Sequence, residues 1–243
     1  NQTGYIDKES LPTLGTVSRN ENGYPIGYFF GYKAIGVFQT QEEIDSYISP
    51  ATGKPIQPNA APGDTKFEDL NGDGVISDDN EDRTMIGKPN PDWMVGLTVA
   101  ADWNGFDLSA FFQGSFGADV FDALRRYELA AVNYTSDALE RWTGPGTSNS
   151  MPRIVLGDTP KNFRPSTLLV HDASFLRLRN LQVGYTLPAQ LTRKAYIQRL
   201  RFYASFDNLL TITGYKGMDP EIGSTMGIDK GVYPQARVYT FGL

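Results

Sequence analysis

Residues 93–116 read WMVGLTVAADW, then NG, then FDLSAFFQGSF. Apolar side chains occupy every second position of both long runs, which is the period of a β-strand whose two faces differ. Asn104-Gly105 between the runs is the preferred two-residue hairpin turn, because both of its residues adopt positive φ. The stretch therefore predicts an antiparallel hairpin with strands Trp93–Trp103 and Phe106–Phe116.

Four further segments have strand character. Ser174–Thr186 and Leu200–Thr213 alternate apolar with polar side chains, and Ala236–Leu243 alternates in the same way up to the last residue. Tyr24–Gln39 is rich in glycine and aromatic residues. Together with the hairpin, these segments predict an all-β, antiparallel fold of about six strands.

The connections between the predicted strands alternate in length. Short ones lie at 104–105 and 187–199, whereas the long ones span 40–91, 117–173 and 214–235. Such alternation is typical of an outer-membrane β-barrel, which has short periplasmic turns and long extracellular loops. A soluble β-sandwich with elaborated loops would also produce it and stays open as an alternative. Helical spacing predicts short surface helices at Asp119–Ala130 and Ser136–Trp142 within one long loop.

Composition excludes several classes of protein. The 243 residues include no cysteine and one histidine, which excludes disulfides, cysteine-ligated metals and multi-histidine metal sites. The longest run without a charged residue is 13 residues long and contains Pro188, so no helical membrane span is predicted. No signal peptide is visible at the start of the sequence.

The net charge of −6 comes from one acidic segment. Seven acids and no base lie between Glu68 and Asp82, and the remaining 21 acids almost balance 22 bases. No basic stripe follows the rest of the chain, so nucleic acid is not expected as a partner.

The acidic segment contains a candidate metal site. Asp69, Asn71 and Asp73 occupy positions 1, 3 and 5 of a calcium loop of the EF-hand type, Gly74 occupies position 6, and Val75 offers a backbone carbonyl at position 7. This spacing makes alternate side chains converge on one side of a tight turn. We therefore expect Ca²⁺ to bind near residues 68–83.

The second half of this loop departs from the usual pattern. Position 12 is Asn80 instead of a bidentate glutamate. Asp82 would complete the ligand set if the loop is two residues longer than usual, and Asp79 is the alternative. A solvated acidic loop without a metal is the simpler interpretation, but seven acids so close together would repel one another. Contiguous acids seldom form the two opposed carboxylates of a glycosidase, so no enzyme activity is expected.

Six segments carry a family resemblance. They are GYFFGYKAIGVFQTQEEI at 27–44, DLNGDGVI at 69–76 followed by RTMIG at 83–87, GFDLSAFFQG at 105–114, FLRLRNLQVGYTLP at 175–188, DNLLTIT at 207–213 and YTFGL at 239–243. In this order they resemble the C-terminal part of the SusC/RagA family of TonB-dependent outer-membrane transporters. FLRLRNL and DNLLT are the most specific of them.

The resemblance implies a membrane protein of the Gram-negative outer membrane. The chain would supply about the last six strands of a barrel of about 22 strands, and the plug domain, most of the barrel and the segment that contacts TonB would be absent from it. Such a transporter imports glycan or peptide fragments beneath a lid formed by a SusD-like lipoprotein. The short turns would face the periplasm and the calcium loop the outside of the cell.

The alternative function is that of a soluble, secreted, calcium-dependent carbohydrate-binding β-domain. The transporter hypothesis and the soluble-domain hypothesis differ in what covers the apolar strand faces. Lipid would cover them in the transporter, and a closed protein core would cover them in the soluble domain.

Overall fold

The computed structural model describes residues 5–11, 15–79, 81–125, 127, 129, 133–222 and 226–243. Among these residues, no helix is long and apolar enough to cross a membrane. The regular secondary structure of the described part of the chain is mostly β-strand, the strands pair mostly antiparallel, and the chain divides into two compact units. The first unit comprises the described residues within 1–90, 119–171 and 223–230, and the second those within 91–118, 172–222 and 231–243.

The second unit is built on a five-stranded antiparallel sheet. Its strands are β7 (Trp93–Trp103), β8 (Phe106–Phe116), β11 (Phe175–Thr186), β12 (Arg201–Thr213) and β14 (Val238–Gly242). Strands that follow one another along the chain are neighbours in the sheet, in the order β7-β8-β11-β12-β14. All five lie within the predicted segments.

The predicted hairpin turn joins β7 to β8. Asn104 has a φ of 51° and Gly105 a φ of 89°, as the two-residue turn requires. A short helix α2 (Ala189–Thr192) and a 3-10 turn at Arg193–Ala195 occupy the connection between β11 and β12.

The first unit contains several short sheets. One sheet has the order β1 (Tyr5–Leu11), β2 (Gly15–Glu21), β3 (Tyr28–Tyr32) and β6 (Arg83–Gly87), and β4 (Ala34–Val37) pairs with β5 (Thr65–Phe67). In a third sheet β9 (Asp119–Asp122) lies between β10 (Val170–Asp172) and β13 (Ile228–Asp229). Helix α1 (Gln41–Ser46) begins after Thr40, whose hydroxyl accepts a hydrogen bond from the N–H of Glu43.

The core of this unit includes two apolar clusters among the described residues. Phe29, Phe121 and Leu169 are fully buried in one of them, and Tyr127 and Phe163 are fully buried in the other. Apart from Tyr24, which is exposed, the aromatic residues that suggested a membrane strand over 24–39 are buried in this unit.

The prediction of one long strand over 24–39 is wrong. The segment forms β3 and β4, which belong to two different sheets, and neither pairs with β7. All five residues of β3 are buried on both faces, so this strand presents no side to lipid. Its run of aromatic residues has the composition of a strand in a membrane barrel, but these residues pack in a closed protein core.

The predicted helix over 119–130 is also wrong at its start, where β9 forms. Residues 126, 128 and 130 lie outside the described residues. The other predicted surface helix is a shorter 3-10 turn at Ser136–Glu140.

Candidate functional site

One face of the five-stranded sheet is apolar over its whole width. The strand register places Leu97 opposite Phe112, and Leu178 opposite both Phe112 and Leu210. Leu97 is 59% exposed, and nothing in the described part of the second unit covers this face. The closed core that a soluble domain would need is thus absent from the described residues of this sheet.

Aromatic side chains line one end of that face. Trp103 lies opposite Phe106, Phe106 opposite Tyr185, and Tyr185 opposite Phe202, so four strands contribute one continuous aromatic row. The rings of Phe106 and Tyr185 are 4.4 Å apart between centroids, and Trp103 is 76% exposed. The row lies at the end of the sheet that carries the two short connections. Exposed aromatic rows at the edge of an apolar band are typical of a membrane–water interface.

A second aromatic pair marks the opposite end of the band. Trp93 lies opposite Phe116 at the far ends of β7 and β8. Ten residue steps separate Trp93 from Trp103, or about 34 Å along the strand. A strand tilted by about 40° would span about 25 Å with that length, which is the height of the apolar band of outer-membrane barrels.

The other face of the sheet carries charged and polar groups. Arg177 is buried, and its guanidinium donates to Thr211 Oγ1 at 2.9 Å, to Glu221 Oε2 at 2.9 Å and to Asp219 Oδ1 at 2.6 Å. Arg179 donates to both carboxylate oxygens of Glu221 at 2.5 and 2.7 Å. We call Arg177, Arg179, Asp219 and Glu221 the arginine clamp. The clamp holds the segment after β12 against the polar face of the sheet.

The pKa of Asp219 reflects this environment. Burial by itself would raise it, but the backbone N–H groups of Gln235 and Glu221 and the guanidinium of Arg177 outweigh burial and hold the pKa of this carboxyl below its usual value. Asp219 therefore stays ionised opposite Arg177.

A double bulge lies beside the clamp. Leu178 pairs with Leu210 and Asn180 with Asp207, so one residue of β11 faces two residues of β12 at this point, and the register of β11 against β8 also shifts there. Asn208 has a φ of 52°, and its side-chain oxygen accepts from Arg179 at 3.3 Å. The FLRLRNL and DNLLT segments of the sequence thus meet at the bulge.

The acidic loop of the first unit turns at Asp69. One carboxylate oxygen of Asp69 accepts from the N–H of Gly72 at 2.8 Å and the other from the N–H of Gly74 at 2.9 Å. Gly72 and Gly74 have φ values of 78° and 89°, so the loop turns tightly where the calcium pattern expects it. A Cβ at Gly74 would lie 2.7 Å from Ser49 Oγ, so only glycine fits at this position.

The next predicted ligands lie on the exposed side of this turn. Asn71 Oδ1 accepts from the N–H of Asp73 at 3.0 Å, and Asp73 Oδ1 accepts from the N–H of Val75 at 2.8 Å. The amide nitrogen of Asn71 donates to Asp73 at 3.0 Å and to Glu81 at 2.9 Å. Each predicted side-chain ligand is therefore held by hydrogen bonds within the loop.

Asp82 closes the loop from its other end. Its carboxylate accepts from the N–H of Leu70 at 3.1 Å and from the N–H of Ser77 at 2.9 Å, and the residue is 0% exposed. Within the described part of the chain Asp82 forms no ion pair, although buried carboxylates are ordinarily paired or bind metal. Asp79, by contrast, is exposed and accepts from the hydroxyl of Ser77, which lowers the pKa of the Asp79 carboxyl. Position 12, Asn80, lies outside the described residues.

The three predicted aspartates do not meet at one point. Among the described residues, no group of three or more histidine, cysteine, aspartate or glutamate side chains is arranged to hold a metal ion. Asp69 and Asp82 nevertheless bracket the same short turn, since they bond to Gly72 and Leu70 respectively. Carboxylate, amide and carbonyl oxygens are the donors that Ca²⁺ prefers, and the loop supplies all three kinds.

The surroundings of the loop were not predicted from the sequence. The hydroxyl of Tyr32 donates to the carbonyl oxygen of Ser77 at 2.7 Å, and Lys161 forms an ion pair with Asp78. Burial, together with the charges of Asp69, Glu68 and Asp82, raises the pKa of Tyr47. These contacts link residues far apart in sequence, and no local pattern indicates them.

A cavity of about 660 Å³ adjoins the loop. Residues 74–76 of the loop line it, Lys54, Lys161 and Arg164 contribute positive charge, and Asp64 contributes a carboxylate. The acidic loop thus contributes part of the wall of this cavity.

Comparisons with known proteins found relatives that match nearly the whole chain. No protein-family model matches it. The chain is 34% identical over 91% of its length to the TonB-dependent receptor P3 of Formosa agariphila, and 30% identical over 99% of its length to the TonB-dependent receptor SusC of Bacteroides thetaiotaomicron. It matches the structure of the RagAB peptide transporter over 97% of its length, with a TM-score of 0.69 and 28% identity.

The chain spans only part of each of these proteins. It covers 22% of the length of P3 and of SusC, and 24% of the matched RagAB chain. The agreement nevertheless extends over nearly all of the present sequence and over its strand arrangement. The chain therefore belongs to the SusC/RagA family of TonB-dependent receptors.

Proposed function

We propose that this chain forms part of the wall of a β-barrel importer in the outer membrane of a Gram-negative bacterium. The observation that carries the proposal is the uncovered apolar face of the five-stranded sheet. Aromatic side chains border this face at both ends, and the opposite face of the sheet is polar and charged. Closure of a barrel satisfies every backbone polar group, because lipid offers no hydrogen-bonding partners. The remainder of the wall and the plug would come from the rest of the protein.

The importer would take up glycan or peptide fragments with energy from TonB and with a SusD-like lipoprotein as its lid. The similar proteins are named as TonB-dependent receptors, SusC among them, and as components of a peptide transporter. None of them is named as an enzyme, which supports a role without catalytic residues. The soluble carbohydrate-binding alternative is disfavoured, because it needs a covered apolar face.

Calcium forms a second part of the proposal. Asp69, Asn71 and Asp73, the carbonyl of Val75 and the carboxylate of Asp82 would bind Ca²⁺. The burial of Asp82 without an ion pair supports its choice over Asp79. Bound Ca²⁺ would reduce the number of conformations open to the loop, and it would fix the wall of the adjoining cavity.

Uptake by cells tests the transport function. A strain that lacks the receptor gene is complemented with the wild-type gene, and uptake of labelled oligosaccharides and oligopeptides is compared with and without TonB. We expect one substrate class to accumulate only when both proteins are present. Equal uptake in the absence of the receptor, or extraction of the receptor from cells without detergent, would contradict the proposal.

Calorimetry and proteolysis test the calcium site separately. The Asp69→Ala, Asp73→Ala double variant of the receptor should lose calcium binding and become more sensitive to protease within 68–83. The matched control is Glu42→Ala, Asp45→Ala, which removes the same charge from helix α1. Unchanged calcium binding in the first variant would exclude this site.

A further inference from the structure

The connection between β11 and β12 is basic and partly apolar. Residues 187–200 contain Arg193, Lys194 and Arg199 and no acidic residue. The N–H of Leu187 donates to the carbonyl oxygen of Leu200 at 2.9 Å, so the segment leaves the sheet and returns to it at the same place. We call residues 187–200 the basic turn.

The basic turn lies just beyond the aromatic row. It begins two residues after Tyr185 and ends two residues before Phe202, and both of these residues belong to the row. If the row marks the membrane interface, the turn lies at the depth of the lipid headgroups.

The charges of the turn are only partly balanced within the described part of the chain. None of Arg193, Lys194 and Arg199 forms an ion pair there, and all three are exposed. The carboxylate of Asp107, which Arg199 also attracts at longer range, is already bound in a two-pronged ion pair by Arg201. Three exposed cations that form no ion pair among the described residues therefore lie on one short turn at the edge of the sheet.

The tip of the turn exposes apolar side chains in an unusual way. Tyr196 follows the 3-10 turn in the left-handed conformation, with a φ of 59°, at a place where glycine is usual. Its side chain is 98% exposed, and Leu191 is also exposed. A bulky residue held in this conformation without a packing partner costs free energy, and an aromatic ring with a polar end is well suited to the membrane interface.

From this combination we infer that the basic turn binds the phosphate groups of anionic phospholipids in the leaflet beside the short connections. The inference rests on the proposed membrane location. Arg193, Lys194 and Arg199 would contact the phosphates, while Tyr196 and Leu191 would enter the interface between them. Charge complementarity and continuity with the aromatic row identify lipid as the partner, in preference to another protein.

Spin labels test the inference, because the chain has no cysteine of its own to interfere. The receptor, freed of any other cysteine, carries a label at Ala195→Cys in one sample and at Leu97→Cys in another. Each is placed in nanodiscs of phosphatidylcholine alone or with phosphatidylglycerol, and the accessibility of the label to oxygen and to a nickel chelate is measured. We expect the label at 97 to report hydrocarbon in both lipids and the label at 195 to report the headgroup depth with phosphatidylglycerol.

The two positions separate the possible failures. If the label at 97 reports water, the membrane location itself is wrong. If the label at 97 reports hydrocarbon but the label at 195 is equally exposed to water in both lipids, only the inference about the basic turn is overturned. A label at 195 that is shielded to the same degree in both lipids would point to a protein contact and would also overturn it.

Lipid selectivity provides the quantitative test. The ratio of phosphatidylglycerol to phosphatidylcholine that stays bound to the receptor is measured by native mass spectrometry. Each cation replaced should lower this ratio by up to about fivefold, as expected for a basic residue at an anionic surface. The variant Arg193→Gln, Lys194→Gln, Arg199→Gln should therefore lose most of the selectivity, and an unchanged ratio would overturn the inference.

Discussion

Replacement of Leu97 by arginine tests whether the apolar face meets lipid. Leu97 lies four residue steps from Trp93, or about 14 Å along the strand, and a tilt of about 40° places it about 10 Å inside the band. That depth is close to the midplane, where an arginine on the lipid face destabilises an outer-membrane barrel by about 2–4 kcal/mol. Leu97→Arg should therefore lower the folding equilibrium constant by roughly 30-fold to 1,000-fold.

Thr98→Arg is the matched control for this prediction. Thr98 is the next residue on β7 and lies opposite Phe111 on the other face of the sheet. The assay is urea-dependent folding of the receptor into lipid vesicles, followed by tryptophan fluorescence. We expect Thr98→Arg to change the free energy of unfolding much less than Leu97→Arg does.

The result that would refute this prediction follows from the high exposure of Leu97. An exposed leucine on a water-facing surface tolerates arginine within about 0.5 kcal/mol. A change of that size in Leu97→Arg, or equal losses in the two variants, would show that the face does not contact lipid.

Three further predictions concern the arginine clamp and the acidic loop. Arg177→Gln should destabilise the second unit by about 3–5 kcal/mol, because it leaves the buried Asp219 without its partner; chemical denaturation measures this, and a loss below about 1 kcal/mol would contradict it. Because the folded-state pKa of Asp219 is lowered from 3.8, its stabilising effect is complete above that pH and is lost as the pH falls through the folded-state value; the protection factors of the amides of residues 214–222, which correct for the intrinsic pH dependence of exchange, should be high at neutral pH and fall only below about pH 4, and a fall near pH 6 would exclude this cause. Gly74→Ala should destabilise the loop by about 1–2 kcal/mol more than Gly72→Ala, because both need positive φ but only Gly74 also packs against Ser49; equal thermal shifts in the two variants would contradict the packing argument.

The sheet could be predicted from the sequence because its two faces contact different surroundings. Strict alternation around Asn104-Gly105 specifies the hairpin, and the same alternation marks β11, β12 and β14. Tyr28–Tyr32 misled the prediction because a strand buried on both faces and a membrane strand are equally rich in aromatic residues. Only the tertiary contacts of Phe29 with Phe121 distinguish the two cases, and these residues are 92 positions apart.

The candidate metal site was predictable in part. Asp69 and Gly74 lie within one short segment in which alternate polar residues place their side chains on one side of a tight turn. The burial of Asp82 and the packing of Gly74 against Ser49 depend on chain segments that the spacing does not contain. The arginine clamp was not predicted for the same reason, since Arg177 and Asp219 come from separate segments of the chain.

At the double bulge, the alternation of apolar and polar side chains along β11 shifts by one residue. Before it, even-numbered leucines such as Leu178 point to the apolar side, and after it odd-numbered residues such as Leu181 and Val183 do so. A deletion of one residue anywhere between Asn180 and Thr186 would invert the remainder of the strand and turn polar groups toward the apolar side. Insertions or deletions of two residues should therefore be tolerated within this strand. A change of one residue should be tolerated only at Arg179, where the bulge itself can absorb it.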